Sequence, residues 1–300
     1  MKYVVIGGAG FIGNNIVKRL IENNHSVIVI DDLHSGKKSN LSDILDKIEF
    51  YEIDIREYEK LREICKNSDG IFHEAALTVV QESFTKKDEY YDVNVKGTEN
   101  IFKIAKEFDI KVVFASSSSV YGDSEITPIK ENVVRKPINP YGDTKLQAEI
   151  LAEKYAELGV KVIVLRYFNI YGKGQTISYA GVITKFLQNI KDNESLKIFG
   201  DGEQIRDFVH VEDIVIANIL AMNSEIKFGF YNVGTGISTS INELAKIMIK
   251  ISKKNLESIH LEELEGDVKK SVADVRLIKE EVKWKVSIEL QNGLRRFFEK

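Results

Sequence analysis

A glycine-rich turn close to the start of the chain constrains the fold more than any other feature. Gly7, Gly10 and Gly13 follow the spacing G-x-x-G-x-x-G and separate a β-type apolar run from a stretch with helical apolar spacing. A second β-type run follows, which predicts a strand–helix–strand unit at Tyr3–Ile6, Ile12–Ile21 and Val27–Ile30. Glycines there let backbone N–H groups approach a pyrophosphate at the helix N-terminus. The turn therefore predicts a dinucleotide-binding site.

The alternation of short apolar strands with helices continues along the chain. Further strands are predicted at Ile71–His73, Lys111–Ala115, Val160–Leu165 and Phe230–Val233, and helices at Asn94–Phe108, Tyr141–Leu158, Val211–Met222, Ile241–Ser252 and Leu290–Glu299. This order indicates an α/β fold, a Rossmann-type doubly wound parallel sheet covered on both faces. After Arg166 the elements are shorter and glycines more frequent, which predicts a smaller C-terminal substrate-binding lobe. We expect residues 1–168 plus about 211–235 to bind the dinucleotide, and residues 169–210 plus 236–300 to bind the substrate.

Composition and charge exclude several classes of function. The formal net charge of -4 over 300 residues gives no electrostatic reason to bind nucleic acid. Cys65 is the only cysteine, so no intrachain disulfide can form and an intracellular protein is expected. No run approaches the ~20 apolar residues needed to cross a bilayer, so the protein is predicted to be cytoplasmic with no membrane partner. The motifs indicate no metal site.

Two acidic residues at the end of the second predicted strand bear on the choice of dinucleotide. Asp31 lies roughly 20 residues beyond the glycine turn, where a carboxylate accepts hydrogen bonds from the adenosine ribose hydroxyls. Because a carboxylate repels a 2′-phosphate, Asp31 favours NAD over NADP. Asp32 is the neighbouring alternative, and Lys37 and Lys38 could soften the discrimination.

Two hydroxyl-bearing motifs are predicted to meet at the carboxyl edge of the sheet. Tyr141 and Lys145 are four residues apart near the start of a predicted helix, so both side chains can face the same way. The phenol of an unperturbed tyrosine has a pKa of about 10, and a nearby ammonium favours the phenolate. The run of serines 116–119 directly follows a predicted strand. Alone, the first motif is more often a surface pair and the second a polar loop.

In combination these motifs resemble the extended short-chain dehydrogenase/reductase superfamily and, within it, the NAD-dependent sugar epimerase/dehydratase family. The resemblance covers nearly the whole chain. Its further motifs are His73-Glu74-Ala75-Ala76, Asn94-Val95-Lys96-Gly97-Thr98, Asn139-Pro140-Tyr141, Arg166-Tyr167-Phe168-Asn169, Phe199-Gly200-Asp201-Gly202, Arg206-Asp207-Phe208-Val209-His210-Val211 and Ser271-Val272-Ala273-Asp274.

The resemblance implies roles for the residues that match. Tyr141 falls on the general base, Lys145 on the residue that binds the nicotinamide ribose, and Ser117 on the hydroxyl that binds the reacting sugar. NAD is expected to contact Gly7, Gly10, Phe11, Ile12, Gly13, Asp31, Asp32, Asp54, Ile55, Ala75, Asn94, Tyr141 and Lys145. A nucleotide sugar is expected to contact Ser117, Ser118, Ser119, Tyr141, Asn169, Val182, Lys197, Phe199, Arg206 and Ser271. Phe199 as a core residue and Arg206 as a structural partner of Asp207 remain open.

The implied reaction is 4-epimerisation of a UDP-hexose through a 4-keto sugar. Dehydratases of the family carry an Asp-Glu pair where this chain has Ser118-Ser119, so elimination is disfavoured. The small Ser271 is associated with tolerance of an N-acetyl group, which predicts turnover of UDP-N-acetylglucosamine and UDP-N-acetylgalactosamine as well as UDP-glucose and UDP-galactose. Leu264 stands where many relatives have an arginine on the diphosphate, so Arg206, helped by Lys269 or Lys270, would carry that contact.

Alternatives from other classes of function remain. Another nucleotide-sugar epimerase, a reductase or a dehydratase of the same family fits the motifs, and a reductase would consume NAD(P)H stoichiometrically. A non-catalytic dinucleotide-binding protein is disfavoured by the tyrosine and lysine. A homodimer is expected from the resemblance, through the helices predicted at Asn94–Phe108 and Tyr141–Leu158.

Overall fold

A seven-stranded parallel sheet lies at the centre of the protein, in a computed structural model that describes residues 1–175 and 181–299. Numbered along the chain, its strands are β1 Lys2–Ile6, β2 Ser26–Asp31, β3 Ile48–Glu52, β4 Gly70–His73, β5 Lys111–Ser117, β6 Val162–Tyr167 and β11 Phe228–Val233. The spatial order is β11-β6-β5-β4-β1-β2-β3. The order reverses between β1 and β4, and ligands of such sheets bind in the crevice beyond the strand ends at that point.

Helices cover both faces of the sheet, as predicted. They are α1 Phe11–Glu22, α2 Tyr58–Cys65, α3 Val80–Ser83, α4 Lys87–Tyr91, α5 Thr98–Phe108, α6 Pro140–Glu157, α7 Val182–Asp192, α8 Val211–Asn223, α9 Ile241–Ser252, α10 Arg276–Glu281 and α11 Leu290–Arg295. Alternate strand residues point to opposite faces: Val5 packs in a core with α1 and α8, and Val4 in a core with α5 and α6. Among the described residues, no helix is both long and apolar enough to cross a membrane.

Seven short strands lie mostly in the second half of the chain. They are β7 Asn169–Tyr171, β8 Leu196–Phe199, β9 Ile205–Arg206, β10 Phe208–His210, β12 Thr239–Ser240, β13 Ser258–Leu261 and β14 Lys270–Ser271, among residues 1–175 and 181–299. A separate core around Phe186 and Leu244 joins α7 to α9. Trp284, however, packs in the sheet core and donates from Nε1 to the Asp213 carbonyl at 2.9 Å. The exact division into two lobes therefore stays a prediction.

Most predicted elements differ from the structure by one or two residues at their ends, and three of the differences have a clear physical reason. The stretch predicted as one helix at Asn94–Phe108 begins as a π-helix, Asp92–Gly97, before α5. Strand β5 runs on to Ser117, because Ser116 and Ser117 pair with β6. The last helix ends at Arg295 and not at Glu299, since the N–H of Phe297 bonds back only three residues to the carbonyl of Leu294.

Candidate active site

A cleft at the carboxyl edge of the sheet, of about 350 Å³, collects most of the predicted site residues. The volume lies within the roughly 300–1,000 Å³ that small-molecule sites occupy. Of the residues predicted from sequence, the cleft is lined by Gly7, Gly10, Phe11, Ile12, Gly13, Asp31, Asp32, Asp54, Ile55, Ala75, Ser117, Tyr141, Lys145 and Asn169. The glycine turn and the tyrosine–lysine pair therefore open onto one cavity.

The glycine turn is packed so closely that side chains would not fit at two of its positions. A Cβ on Gly13 would lie 2.1 Å from the carbonyl oxygen of Gly7, and one on Gly7 would lie 2.6 Å from the nitrogen of Ala75. Gly7 also has a φ of +80°, which favours glycine. Gly10 caps α1 with extended backbone. The turn thus brings the N-terminus of α1 to the cleft, and a pyrophosphate would meet free backbone N–H groups there.

Asp31 ends β2 with its carboxylate already tied to the backbone of the glycine turn. Its Oδ2 accepts from the N–H of Ala9 at 2.9 Å, and its Oδ1 accepts from the N–H of Leu33 at 2.8 Å. Burial raises the pKa of Asp31, and these backbone hydrogen bonds oppose the rise. Lys38 lies with its Nζ 4.8 Å from the ring centre of Phe50. Asp31 thus places a carboxylate at the cleft, and Lys38 contacts the ring of Phe50. Both features suit a ribose without a 2′-phosphate.

Asp54 and Ile55, both predicted to contact NAD, are held in place by neighbouring residues. The carboxylate of Asp54 binds Arg56, with Nε 2.9 Å from Oδ1, and this guanidinium lowers the pKa of Asp54. Ile55 fills the space above Gly97, where an added Cβ would approach its side chain to 2.5 Å. Asp32 is exposed, and its Oδ1 accepts from the N–H of His34 at 3.1 Å.

The first turn of α6 holds Tyr141 against the serine segment. Asn139 caps the helix, its Oδ1 accepting from the N–H of Gly142 at 2.8 Å, and Pro140 opens it. A Cβ on Gly142 would lie 2.6 Å from the carbonyl oxygen of Ser119. Glycine at this position therefore allows α6 to approach the end of β5, which brings Tyr141 next to Ser117.

The charges around Tyr141 differ in part from the expectation. Burial raises the pKa of Tyr141, and the hydrogen bond with Ser117 opposes the rise. The Nζ of Lys145 donates to the carbonyl of Ala115 at 2.9 Å. Burial lowers the pKa of Lys145 to about 8, and the carboxylates of Glu74 and Glu149 oppose that change. The chain alone thus keeps Tyr141 protonated, and the lowering of its pKa by Lys145 stays a prediction for the complex with dinucleotide.

Of the serine segment, Ser116 and Ser117 line the cleft, whereas the predicted substrate contacts Ser118 and Ser119 do not. Ser117 Oγ donates to Ser119 Oγ at 3.1 Å and accepts from the Ser119 N–H at 3.1 Å. Ser118 and Ser119 begin a 3₁₀-helix, Ser118–Tyr121. The hydroxyl of Ser116 donates to the buried carboxylate of Glu149 at 2.6 Å.

Asn94, predicted to contact the cofactor, does not line the cleft and lies in the interior of the protein. Its Oδ1 accepts from the N–H of Leu77 at 2.8 Å, and its Nδ2 donates to the carbonyl of Leu77 at 2.9 Å and to Thr144 Oγ1 at 3.0 Å. The side chain therefore joins the segment after β4 to α6. Because Thr144 lies between Tyr141 and Lys145 on α6, these bonds help to fix the turn of the helix that carries both residues.

Arg206 and Ser271 are neighbours, although they are far apart in sequence. They are paired in the parallel register of β9 and β14, and both are buried. The guanidinium of Arg206 forms an ion pair with Asp267 and donates from Nη1 to the carbonyl of Ile205 at 2.9 Å. The alternative pairing with Asp207 is wrong, because that carboxylate accepts from the Thr235 hydroxyl and N–H and from the Gly236 N–H.

Arg206, Ser271 and the remaining predicted substrate residues lie outside the lining of this cleft. Lys197 is exposed and pairs with Glu194 at 3.2 Å. Phe199 is half-buried at the end of β8, and Val182 starts α7. Leu264 lies in the turn that carries Asp267, whose N–H donates to the Leu264 carbonyl at 3.3 Å. The departure from the family's arginine at position 264 thus falls in the turn that supplies the ion-pair partner of Arg206.

Sequence reasoning gave no role to Glu74, Tyr167 and Phe168, although all three line the cleft. Tyr167 OH donates to Glu74 Oε1 at 3.0 Å. Burial raises the pKa of Glu74 to about 7, opposed by Tyr167 and Lys145. A signal was present: Glu74 directly follows β4 and Tyr167 ends β6, and the carboxyl ends of parallel strands in one sheet lie at the same edge.

The fold and the cleft define a Rossmann-type enzyme with a dinucleotide site beside a tyrosine–lysine pair. The chain belongs to the NAD-dependent epimerase/dehydratase family, whose model matches residues 3–234. Its cofactor is NAD, since the family is NAD-dependent and solved structures similar to this chain hold NAD.

Individual relatives agree in length and structure. A protein of Methanocaldococcus jannaschii named "Putative UDP-glucose 4-epimerase" is 40% identical, covering 98% of this chain and 96% of that protein. The structure of UDP-glucose 4-epimerase from Thermotoga maritima with UDP-glucose is 36% identical with a TM-score of 0.94, covering 98% of this chain and 96% of that one. UDP-N-acetylglucosamine 4-epimerase from Methanobrevibacter ruminantium, in complex with UDP-N-acetylmuramic acid, gives the same identity, TM-score and coverage.

Proposed function

We propose that the protein is an NAD-dependent 4-epimerase of UDP-hexoses. One observation carries the proposal: Ser117, Tyr141 and Lys145 open onto the same cleft as the glycine turn. Both similar solved structures described above are named as 4-epimerases, and both contain UDP-linked ligands. A hydroxyl, a phenol and an ammonium next to a dinucleotide are the groups needed to oxidise and reduce a sugar alcohol.

Different residues of the cleft would bind the cofactor and move the proton. Bound NAD supplies a hydride acceptor for C4 of the sugar and later returns the hydride. The glycine turn would hold the pyrophosphate, Asp31 the adenosine ribose and Lys145 the nicotinamide ribose. The structure fits this group, since the backbone at Gly10 is open to the cleft. Tyr141 takes the proton of the 4-hydroxyl, and Ser117 holds that hydroxyl in place.

The protonation state of Tyr141 explains why the site would act only when complete. Burial raises the pKa of this phenol in the chain alone. A cationic ring and the Lys145 ammonium both favour the phenolate. Proton removal from the sugar is therefore coupled to the presence of the oxidised cofactor.

The serine segment favours epimerisation over elimination. A dehydratase needs a carboxylic acid and a base close to C5 and C6, and serines 116–119 supply only hydroxyls. A nucleotide-sugar reductase remains the alternative, because the same residues would serve it. The two differ in stoichiometry: an epimerase returns its hydride, whereas a reductase consumes one reduced cofactor per product.

The substrate is proposed to include N-acetylated sugars. Ser271 is small, buried and in register with Arg206, which we assign to the diphosphate. Arg206 would exchange or share its Asp267 partner when a phosphate binds. Initial rates on UDP-N-acetylglucosamine and UDP-glucose test this assignment, with Ser271→Tyr as the size control. Activity confined to the non-acetylated sugar in the wild type would reject it.

The test of the reaction uses purified protein and single UDP-sugars labelled with deuterium at C4, without added cofactor. We expect the C4 epimer to form and to keep its deuterium, because the same hydride leaves and returns. Loss of the label to solvent, or a requirement for stoichiometric NAD(P)H, would contradict 4-epimerisation through a bound cofactor.

A homodimer is also proposed, through α5 and α6, and a cytoplasmic location with it. These helices pack on each other, and Ile150 on α6 is 44% exposed and so accessible to a second copy of the chain. Light scattering of the wild type should give twice the monomer mass. The Ile150→Glu variant should give the mass of a monomer. A wild-type monomer would contradict the dimer.

A further inference from the structure

Glu74 occupies a position between the two parts of the cleft that the proposed function uses. Its backbone packs against the glycine turn, where a Cβ on Gly7 would lie 2.9 Å from the carbonyl carbon of Glu74. Its side chain lines the cleft together with Tyr141 and Lys145. The carboxyl group therefore lies at the end of the dinucleotide site that is close to the tyrosine–lysine pair.

The carboxyl group is held rigidly by one oxygen and leaves the other for a ligand. Tyr167 OH donates to Glu74 Oε1 at 3.0 Å and itself accepts from Asn218 Nδ2 at 2.7 Å. Asn218 is fixed on α8 by a second bond to the carbonyl of Ile214 at 3.0 Å. Oε2 of Glu74 is buried and has no hydrogen-bond partner among residues 1–175 and 181–299. A buried carboxylate oxygen without a partner is costly unless something positive or polar meets it.

The charges around Glu74 determine when it is ionised. Burial raises the pKa of Glu74 to about 7, and the Tyr167 phenol on β6 and the Lys145 ammonium on α6 both oppose that rise. Asn218 on α8 and the glycine turn next to β4 contribute no charge. Glu74 is thus partly ionised at neutral pH, and a cation beside it would increase that ionisation.

We propose that Glu74 makes the cleft prefer the oxidised, cationic form of the dinucleotide, by holding a carboxylate beside the ring that exchanges hydride. This inference rests on the proposed function, which puts that ring next to Tyr141 and Lys145. Tyr141 would take the proton of the 4-hydroxyl, while a bound dinucleotide would supply the acceptor for the C4 hydride and would be uncharged at its ring once reduced. A fixed carboxylate disfavours that neutral state relative to the cationic one. It therefore promotes return of the hydride to the keto sugar over accumulation of reduced enzyme.

The experiment measures which form of the cofactor the full-length protein retains. Protein is equilibrated with a fixed mixture of NAD⁺ and NADH, free dinucleotide is removed, and the bound forms are extracted and quantified. At pH 8, Glu74→Gln should lower the bound ratio of NAD⁺ to NADH by about tenfold, because a charge pair in a partly buried site becomes a neutral contact. Tyr167→Phe keeps the carboxylate but removes the hydrogen bond that holds it and lowers its pKa, so the ratio should fall by less than in Glu74→Gln.

A pH series separates Glu74 from Lys145, which also titrates. In a Lys145→Met background, the ratio of NAD⁺ to NADH should rise with pH through about 7 or above, where Glu74 ionises. The rise should be absent in Lys145→Met with Glu74→Gln. An unchanged ratio in Glu74→Gln would overturn the proposal. If that variant fails to fold, a flat series in Lys145→Met alone would overturn it. Neither readout involves turnover, so failure of the epimerase proposal is recognised separately.

Discussion

Substituting Gly13 by alanine tests how the glycine turn is built, because the structure gives the size of the clash. The added Cβ would lie 2.1 Å from the carbonyl oxygen of Gly7 and 2.7 Å from the Cα of Gly8. Both are backbone atoms, and Gly7 is fixed by its N–H bond to the Ile30 carbonyl at 2.7 Å. Relief of the carbon–carbon contact alone needs a shift of about 1 Å in the turn or in α1, because carbon atoms pack at roughly 3.5–4.0 Å.

The cost can be estimated from these contacts. Overpacking costs ~1–3 kcal/mol when side chains can adjust, and a backbone clash belongs at or above the top of that range. Alanine regains about 1 kcal/mol of helix propensity inside α1. We expect a net loss of ~2 kcal/mol or more, which corresponds to a fall in Tm of ~4–8 °C if a domain of this size loses ~2–4 °C per kcal/mol.

Gly10→Ala is the matched control in the same turn. Its Cβ would lie 3.2 Å from the Gly7 carbonyl oxygen, a contact that a small adjustment relieves. Loss of a glycine N-cap costs about 1 kcal/mol or less. Scanning calorimetry compares the Tm of the two variants, with the NAD content of each measured in parallel. We expect the lower Tm for Gly13→Ala. A Gly13→Ala protein as stable as Gly10→Ala would refute the packing described for this turn.

Three further predictions concern groups that support the site. Burial lowers the pKa of His73 to about 3, so this imidazole stays neutral in the folded protein and becomes protonated only in the unfolded chain. The free energy of unfolding should therefore decrease as the pH falls below 6.5, by about 2 kcal/mol at pH 5. Urea titrations that show no such decrease would contradict this prediction. Asn94→Ala leaves the Leu77 N–H and carbonyl without partners and should cost about 2 kcal/mol or more in chemical unfolding. Arg166→Met removes one of the two guanidinium groups that pair with the buried Glu149, the other being Arg135, and should cost ~3 kcal/mol in chemical unfolding, part of it recovered by adding Glu149→Leu; no recovery would contradict the charge argument.

The sheet and the cleft could be predicted because their signals are local. Buried parallel strands read as short apolar runs, and the glycine turn follows the first of them directly. Strand β3 was missed because four of its five residues are polar or aromatic and mostly exposed, as expected at a sheet edge. The extension of β5 to Ser117 was missed because it depends on pairing with β6, which serine side chains do not signal.

Other parts of the site depend on contacts between distant segments. The ion pair of Arg206 with Asp267 joins residues 61 positions apart, and no local pattern distinguished Asp267 from Asp207 as the partner. Glu74 and Tyr167 are 93 positions apart, and their hydrogen bond exists only because β4 and β6 end at the same edge. Asn94 was predicted to face the cofactor; the π-helix that contains it turns its amide toward Leu77 and Thr144.

The most direct test of the account replaces Tyr141 by phenylalanine, which removes the proton acceptor and keeps the ring. With bound NAD and UDP-sugar affinity verified as unchanged, the turnover number for C4 inversion should fall by ~10²–10⁴-fold, the contribution typical of a general base. A variant that inverts C4 at the wild-type rate would contradict the account.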